Sequence, residues 1–223
     1  MYEQALEFSA VWRAFDQLLA GAGLTLGLTA AAIVLGMLVA VACAWGRTNG
    51  PAWLRLVVSG YVEVIRNTPF LLQLYFIFFG LPAIGIRLPP TQAALLTMVV
   101  NLGAYAAEIV RAGIEAVPHG QTEAGRALGL RPLQIFRLVI LPPTLRAIYQ
   151  PLAGQFTMVL LGSSVTSAIS ANELTSAANL LQSVTFRTFE TYLVVTFMYL
   201  LMVFAFRGLL GFGYALTARG QPR

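Results

Sequence analysis

Long apolar segments alternate with short polar ones along this chain of 223 residues. Membrane helices need about 20 mostly apolar residues, and that length recurs here. Spans are expected at approximately 19–45, 53–81, 92–110, 147–169 and 190–210. Between the first two, Arg47-Thr48-Asn49-Gly50-Pro51 is a breaker. The second segment carries Glu63, Arg66, Asn67 and Pro69; proline disfavours helix at the residue before it, so a bend is expected near Thr68. A short stretch rich in proline and glycine, Pro82 to Pro90, ends it. Gly23 and Gly27 in the first span are spaced for close approach of another helix. The stretch 111–146 is too polar to cross and too patterned to be slack.

Composition strengthens this pattern. The chain is 58% hydrophobic and only 10% charged, against roughly 25% charged in soluble domains. Such a chain cannot clothe a core in polar groups, so lipid is the expected solvent. The fold class is an all-α integral membrane protein of five spans, read as a single transmembrane domain over 1–223. The segment before Leu18 holds Glu3, Glu7, Arg13 and Asp16 and is net negative, unlike the positive start of a cleaved signal peptide, so the first span is expected to be permanent.

The charge of +5 comes entirely from arginine, as there is no lysine. With the N-terminus outside, Arg47, Arg55, Arg66, Arg111, Arg126, Arg131, Arg137, Arg146, Arg207, Arg219 and Arg223 fall inside. Only Arg13, Arg87 and Arg187 fall outside. The positive-inside rule therefore places the N-terminus outside and the C-terminus in the cytoplasm. No arginine run is interleaved with aromatics, so nucleic acid is not an expected partner. Cys43 and His119 stand alone, and no metal site is expected.

The cytoplasmic stretch between spans 3 and 4 reads as two short helices. The first follows the turn Pro118–Gly120 and ends at Gly129, a left-handed C-cap. Pro132 opens the second, and Pro142 and Pro143 are expected to stop it. Small residues Ala124, Gly125 and Ala127 beside Glu123 and Arg126 give a low-profile surface suited to a groove on a partner. An amphipathic pair resting on the membrane surface is the alternative.

These residues resemble the EAA loop of binding-protein-dependent ABC importers: Glu-Ala-Ala, three residues, Gly, nine residues, Ile-x-Leu-Pro. Glu123, Ala124, Gly129, Leu141 and Pro142 match. Gly125 replaces the third small residue, and Val139 replaces isoleucine. Arg66-Asn67-Thr68-Pro69 resembles the Arg-x-Thr-Pro element of the polar amino-acid permease branch. So do Gly103-Ala104-Tyr105-Ala106-Ala107-Glu108-Ile109 and Arg111-Ala112-Gly113-Ile114. The resemblance covers nearly all of the chain after the first span. It implies a bacterial inner-membrane permease working as a dimer, with a second copy or a paralogue. It also implies two ATPase subunits inside and a solute-binding protein outside, with 111–146 as the coupling loop and an amino acid as the substrate.

The chain itself lacks a motor and a catalytic constellation. A phosphate-binding loop needs a lysine after its glycine-rich turn, and none exists. G-x-S-x-G and H-E-x-x-H are also missing. No cofactor is expected on this chain; ATP and magnesium belong to the partner ATPase. Polar residues inside spans mark a pathway or helix–helix bonding. Thr97, Asn101, Tyr105 and Glu108 share one face of span 3. Span 4 offers Gln155, then Ser163, Thr166, Ser167 and Ser170. Family relatives often carry Glu at position 155 and Lys-Asp at 161–162, where this chain has Gln155 and Leu161-Gly162. The scarcity of fixed charge favours a zwitterionic or weakly polar amino acid over a cationic one. A stand-alone secondary carrier or channel is the alternative function. An intramembrane enzyme or a structural subunit without solute contacts is more remote.

Overall fold

A computed structural model of the chain describes residues 6–218. All of its regular structure among those residues is helical. After a short helix α1 (Ser9–Arg13), α2 (Phe15–Asn49) runs for 35 residues. At 1.5 Å per residue it is about 52 Å long, more than the roughly 40–45 Å of a bilayer with its headgroups. No proline interrupts it. It stops at Gly50, where a Cβ would stand 2.3 Å from the Gly46 carbonyl oxygen, so no other residue fits that turn. Exposed Trp12 precedes α2 and exposed Trp45 lies near its end, the placement typical of membrane interfaces.

The expected second span is broken. Helix α3 (Ala52–Arg66) ends at Asn67, and α4 (Phe70–Tyr75) leads through a π-helical turn and a 3-10 turn to Ile84. The two halves meet at 113°. Pro69 forbids continuation, and side chains add bonds to the carbonyls of the last turn. Asn67 Nδ2 donates to the Glu63 carbonyl at 2.8 Å and Thr68 Oγ1 to that of Val64 at 2.8 Å. Among the described residues four helices are therefore long and apolar enough to cross a membrane, or five counting the bent pair.

Helix α5 (Pro90–Glu115) is followed by α6 (His119–Ala127) and the single turn α7 (Pro132–Ile135). Pro142 and Pro143 do not stop the helix, contrary to the sequence reading. The turn Phe136–Ile140 widens to a π-helix and α8 (Leu141–Gly162) continues, so Pro132–Ile169 is one long helical run. The prolines lack the N–H groups that would bond one turn back, and a widened turn just before them absorbs that gap. The compact loop is thus shorter than 111–146, because α5 and α7–α8 take both of its ends. A 3-10 segment (Ser163–Ile169), α9 (Leu174–Thr185) and α10 (Thr188–Ala218) complete the chain. Glu3, Arg219 and Arg223 lie outside the described residues.

The chain divides by its contacts into two units. The first comprises Met1–Ala32, Phe70–Met98 and Thr157–Arg223. Its core gathers Leu18, Ala22, Leu160, Leu174, Ala178, Val195 and Met202. The second comprises Ile33–Pro69 and Val99–Phe156, with Ala40, Ala44, Val62, Leu102, Ala106, Ala107 and Ile148 buried. Large apolar side chains such as Leu56, Phe76, Leu201, Phe204 and Phe212 are exposed instead. Small residues inside and large ones outside suit helices that pack closely while facing lipid.

Glycines mark the close approaches. A Cβ on Gly113 of α5 would lie 2.1 Å from Ile148 of α8, and one on Gly103 would lie 2.7 Å from Val39. Gly23 and Gly27 have open space instead, so the expected contact at that pair is not made within this chain.

Candidate functional site

Helix α6 owes its shape to what flanks it. Pro118 enters it in an extended conformation, and Gly129 ends it with φ +73°. The Leu130 N–H then bonds back to the Gly125 carbonyl at 3.1 Å, closing the helix end as a left-handed cap does. Arg131 N–H donates to Gln134 Oε1 at 2.8 Å, fixing the start of α7. Glu123, Ala124, Ala127 and Leu128 face outward, with Leu128 79% exposed. Gly125 faces inward: a Cβ there would be 3.2 Å from Ile135 Cγ1. The low-profile surface expected to include Gly125 is therefore made by its neighbours. A methyl at this third small position would press on Ile135, against which α6 rests. Leu141 and Pro142 are half-buried within the continuous helix.

In the same unit as this loop, Glu108 and Arg111 of α5 centre a charged cluster. Arg47, near the end of α2, reaches Glu108 Oε2 at 2.7 Å. Arg111 holds Glu108 and Glu115 as well. One carboxylate thus ties two helices whose ends carry arginine. Tyr105 donates to the Arg66 carbonyl at 3.3 Å, and the Arg66 guanidinium lies 5.6 Å from the Tyr105 ring centre. That stacking is a cation–π contact. Asn101 and Gln155 are half-buried in this unit.

The polar stretch after α8 lies in the other unit and is not α-helical. A 3-10 turn repeats every three residues, so Ser163, Thr166 and Ile169 share its buried face. Each hydroxyl donates to the carbonyl three residues back: Ser163 to Leu160, Ser164 to Leu161, Thr166 to Ser163 and Ser167 to Ser164, all at 2.7 Å. Thr97 does the same one α-turn back, to Ala93 at 2.7 Å. Thr97, Ser163 and Thr166 are fully buried, so in this conformation their hydroxyls serve the helix and present nothing to a solute. Ser167 is half-buried, and Ser170 takes a left-handed conformation at φ +58°.

In this unit Leu161, Ser164, Thr196, Tyr199, Leu200 and Val203 border a cleft of about 390 Å³. Its walls are mostly apolar, and its serine and threonine hydroxyls are spent on helix carbonyls, Thr196 on that of Tyr192 at 2.7 Å. Behind Tyr199 lies Glu173, only 1% exposed. It caps α9, accepting from Thr175 N at 2.8 Å and Ser176 N at 2.5 Å, and it accepts from the Tyr199 hydroxyl at 2.8 Å. Glu173 lies between the spanning helices. Burial pushes its pKa up from the ordinary glutamate value, and the hydrogen bonds from Thr175, Tyr199 and Ser176 oppose that rise. Sequence reading missed Glu173, Tyr199, Ser164 and Thr196. Glutamate is not among the favoured caps, so the run Glu173-Leu174-Thr175-Ser176 gives little warning. Among the described residues no cluster could hold a metal ion.

Comparison with known proteins fits this geometry. The chain is 34% identical to the glutamine transport system permease protein GlnP of Escherichia coli strain K12 over 198 residues, 88% of this chain and 90% of that one. It is 36% identical to the L-cystine transport system permease protein TcyB of Bacillus subtilis strain 168, across 86% of this chain and 81% of the relative. Among solved structures, an amino acid ABC transporter described with histidines superposes with a TM-score of 0.87 at 36% identity, covering 94% of this chain and 98% of that one. The MetNI methionine ABC transporter, in inward facing form, shares the fold with a TM-score of 0.65 at 22% identity over the same shares. Residues 32–212 match the model of the binding-protein-dependent transport system inner membrane component. With its apolar helices, its bent second segment and its capped α6 loop, the chain belongs to that family of bacterial inner-membrane transport components.

Proposed function

We propose that this chain is the non-catalytic membrane-spanning subunit of an ATP-driven, binding-protein-dependent importer of a polar amino acid. The observation that carries the reading is α6. It is a short helix with both ends fixed by backbone geometry and an outer face of Glu123, Ala124, Ala127 and Leu128 left without cover. A helix shaped from within and bare on its outer face is suited to a groove on an ATPase subunit. The charged cluster at Glu108 stiffens the helix ends in the same unit, through which closure of that groove would be felt.

In this reading the arginine-rich ends face the cytoplasm, with the N-terminus outside and the C-terminus inside. Two ATPase subunits hold ATP and magnesium, and a second copy or a paralogue completes the pathway. An extracytoplasmic binding protein delivers the solute. Names of relatives that move glutamine and cystine support an amino acid as cargo, and Gln155 with Leu161-Gly162 favours one without net positive charge.

The test is affinity purification of the tagged chain in mild detergent from a host that expresses its partner genes, followed by an ATPase assay. Wild type is expected to bring an ATPase with it. Gly129→Asp, which strains the left-handed cap, is expected to lose or uncouple that ATPase while the chain stays in the membrane. A stable protein that captures no nucleotide-binding partner would overturn the reading in favour of a stand-alone carrier.

A further inference from the structure

We propose that Glu108 is a positioning residue for coupling: by holding Arg47 and Arg111 together it fastens the end of α2 to the helix pair from which the α6 loop springs, so that a movement of α6 reaches α2 as well. The inference rests on the importer reading above and adds the side chain that carries the movement sideways.

Three contacts set α2 beside α5. A Cβ on Gly36 would lie 2.9 Å from Leu102, and one on Gly103 would lie 2.7 Å from Val39. Further along, Arg47 Nη1 donates to Glu108 Oε2 at 2.7 Å. Residue numbers rise together on the two helices, so α2 and α5 run in the same direction and their arginine-bearing ends lie on the same side. The glycine contacts are apolar and non-directional. The contact at Glu108 is directional. Arg111 grips the carboxylate with two N–H groups, Nε to Oε2 at 3.2 Å and Nη2 to Oε1, and such a bidentate grip fixes its plane. Arg47 thus meets a carboxylate already oriented by its own helix. Both side chains of the Arg47–Glu108 pair are about three-quarters shielded, so salt screens it less than a surface pair.

The loop is rooted in the same place. Arg111 and Glu115 lie in the last turns of α5, and Ala116 and Val117 lead directly to Pro118, where α6 begins. The chain returns from the loop on α8, which is locked to α5. Thr144 Oγ1 donates to the Gly113 carbonyl at 3.3 Å, and a Cβ on Gly113 would lie 2.1 Å from Ile148. Both stems of the loop therefore belong to one tight pair, and Glu108 ties that pair to α2. A displacement of α6 acts on this pair first. Apolar packing alone would let α2 slide along it; the ion contact makes α2 follow.

Arg47→Gln cuts the link between the helices and leaves Glu108 paired with Arg111 inside α5. Arg47→Lys keeps the cation. Glu115→Gln removes the more exposed ion pair of the cluster, which does not reach α2. The purified transporter, with its ATPase and binding protein, is reconstituted in proteoliposomes. Uptake of labelled L-glutamine, L-glutamate, L-arginine and L-cystine is measured beside ATP hydrolysis, and the readout is solute imported per ATP hydrolysed. Arg47→Gln is expected to lower that ratio about threefold or more, with hydrolysis itself within about twofold of wild type. Arg47→Lys is expected to recover most of the loss, and Glu115→Gln to keep the wild-type ratio. Glu108→Gln is expected to fall at least as low as Arg47→Gln, and the double variant no lower than Glu108→Gln alone.

A wild-type ratio in Arg47→Gln would overturn the proposal, even if Glu108→Gln fails to assemble. So would an equal loss in Glu115→Gln, or no recovery in Arg47→Lys. Parallel loss of uptake and hydrolysis in Arg47→Gln, or loss of assembly, would also overturn it, as the mark of a merely structural tie. Wild type that imports none of the four solutes would overturn the importer reading itself, a failure seen before any substitution is made.

Discussion

The loop around α6 and the segment from Ser163 to Ser176 are both short polar stretches next to long apolar helices, and they are built in opposite ways. In the loop, backbone geometry does the shaping: an extended Pro118, a left-handed Gly129 and a Gly125 seated on Ile135. The side chains of Glu123, Ala124, Ala127 and Leu128 are left outside. In the other segment, side chains do the shaping. Four hydroxyls bond to carbonyls three residues back, and Glu173 gathers two N–H groups and a tyrosine hydroxyl. The outer face of α6 keeps its side chains free, whereas the internal frame spends them.

The largest effect that could break this contrast is on Glu173. Glu173→Ala leaves two helix N–H groups and a buried hydroxyl without their acceptor and is expected to cost about 3 kcal/mol. Glu123→Ala is expected to change stability by less than about 0.5 kcal/mol while reducing ATPase coupling. Thermal unfolding in detergent reads the first difference, and solute-stimulated ATP hydrolysis reads the second. Equal destabilisation by the two would erase the distinction.

The two left-handed residues sharpen the contrast at smaller scale. Gly129→Ala is expected to cost about 1–2 kcal/mol, because a Cβ is strained at φ +73°. Ser170→Gly, at φ +58°, is expected to be neutral or slightly stabilising by the same argument run in reverse. Chemical denaturation midpoints would separate them; a loss at Ser170→Gly would show that its backbone is not strained. Gly125→Ala gives up little: the new methyl crowds Ile135, but alanine regains up to about 1 kcal/mol of helix propensity. Its midpoint is expected within about 1 kcal/mol of wild type.

The smallest effect is on pH dependence. The folded pKa of Glu173 is raised from its ordinary value of 4.5 by burial. The folded state then holds the proton more tightly than the unfolded chain does. The stabilisation this adds is complete below the ordinary value and is lost as pH rises through the folded value. Wild-type melting temperature should therefore decline over that window relative to Glu173→Gln, which cannot titrate. Parallel pH profiles would show that the carboxyl is held at its ordinary pKa.

Much of the architecture could be read from pattern alone, because a bilayer imposes a length and a polarity that repeat along the chain. The ends of α6 were equally legible, since proline and glycine act on their own backbone. The continuation through Pro142 and Pro143 was not, because one widened turn can absorb two missing donors, and neighbouring composition does not announce it. The polar path was legible only in part. Thr97, Ser163 and Thr166 look available in sequence, yet in the fold their hydroxyls turn back to the helix and are buried. Gly23 and Gly27 had the spacing of a contact, while the contacts fell to Gly21, Gly103 and Gly113, whose neighbours come from distant segments.

By itself, then, the sequence determined that this is a helical membrane protein with a short, glycine-ended loop, because spans, breaks and caps depend on residues near one another in the chain. Only the tertiary structure decided that Glu108 would join Arg47 to Arg111 and that Glu173 would stand behind Tyr199. The partners in the Arg47–Glu108 and Glu173–Tyr199 links are 61 and 26 residues apart. No local periodicity encodes such meetings; they exist because buried polar groups must find partners wherever packing brings one within reach.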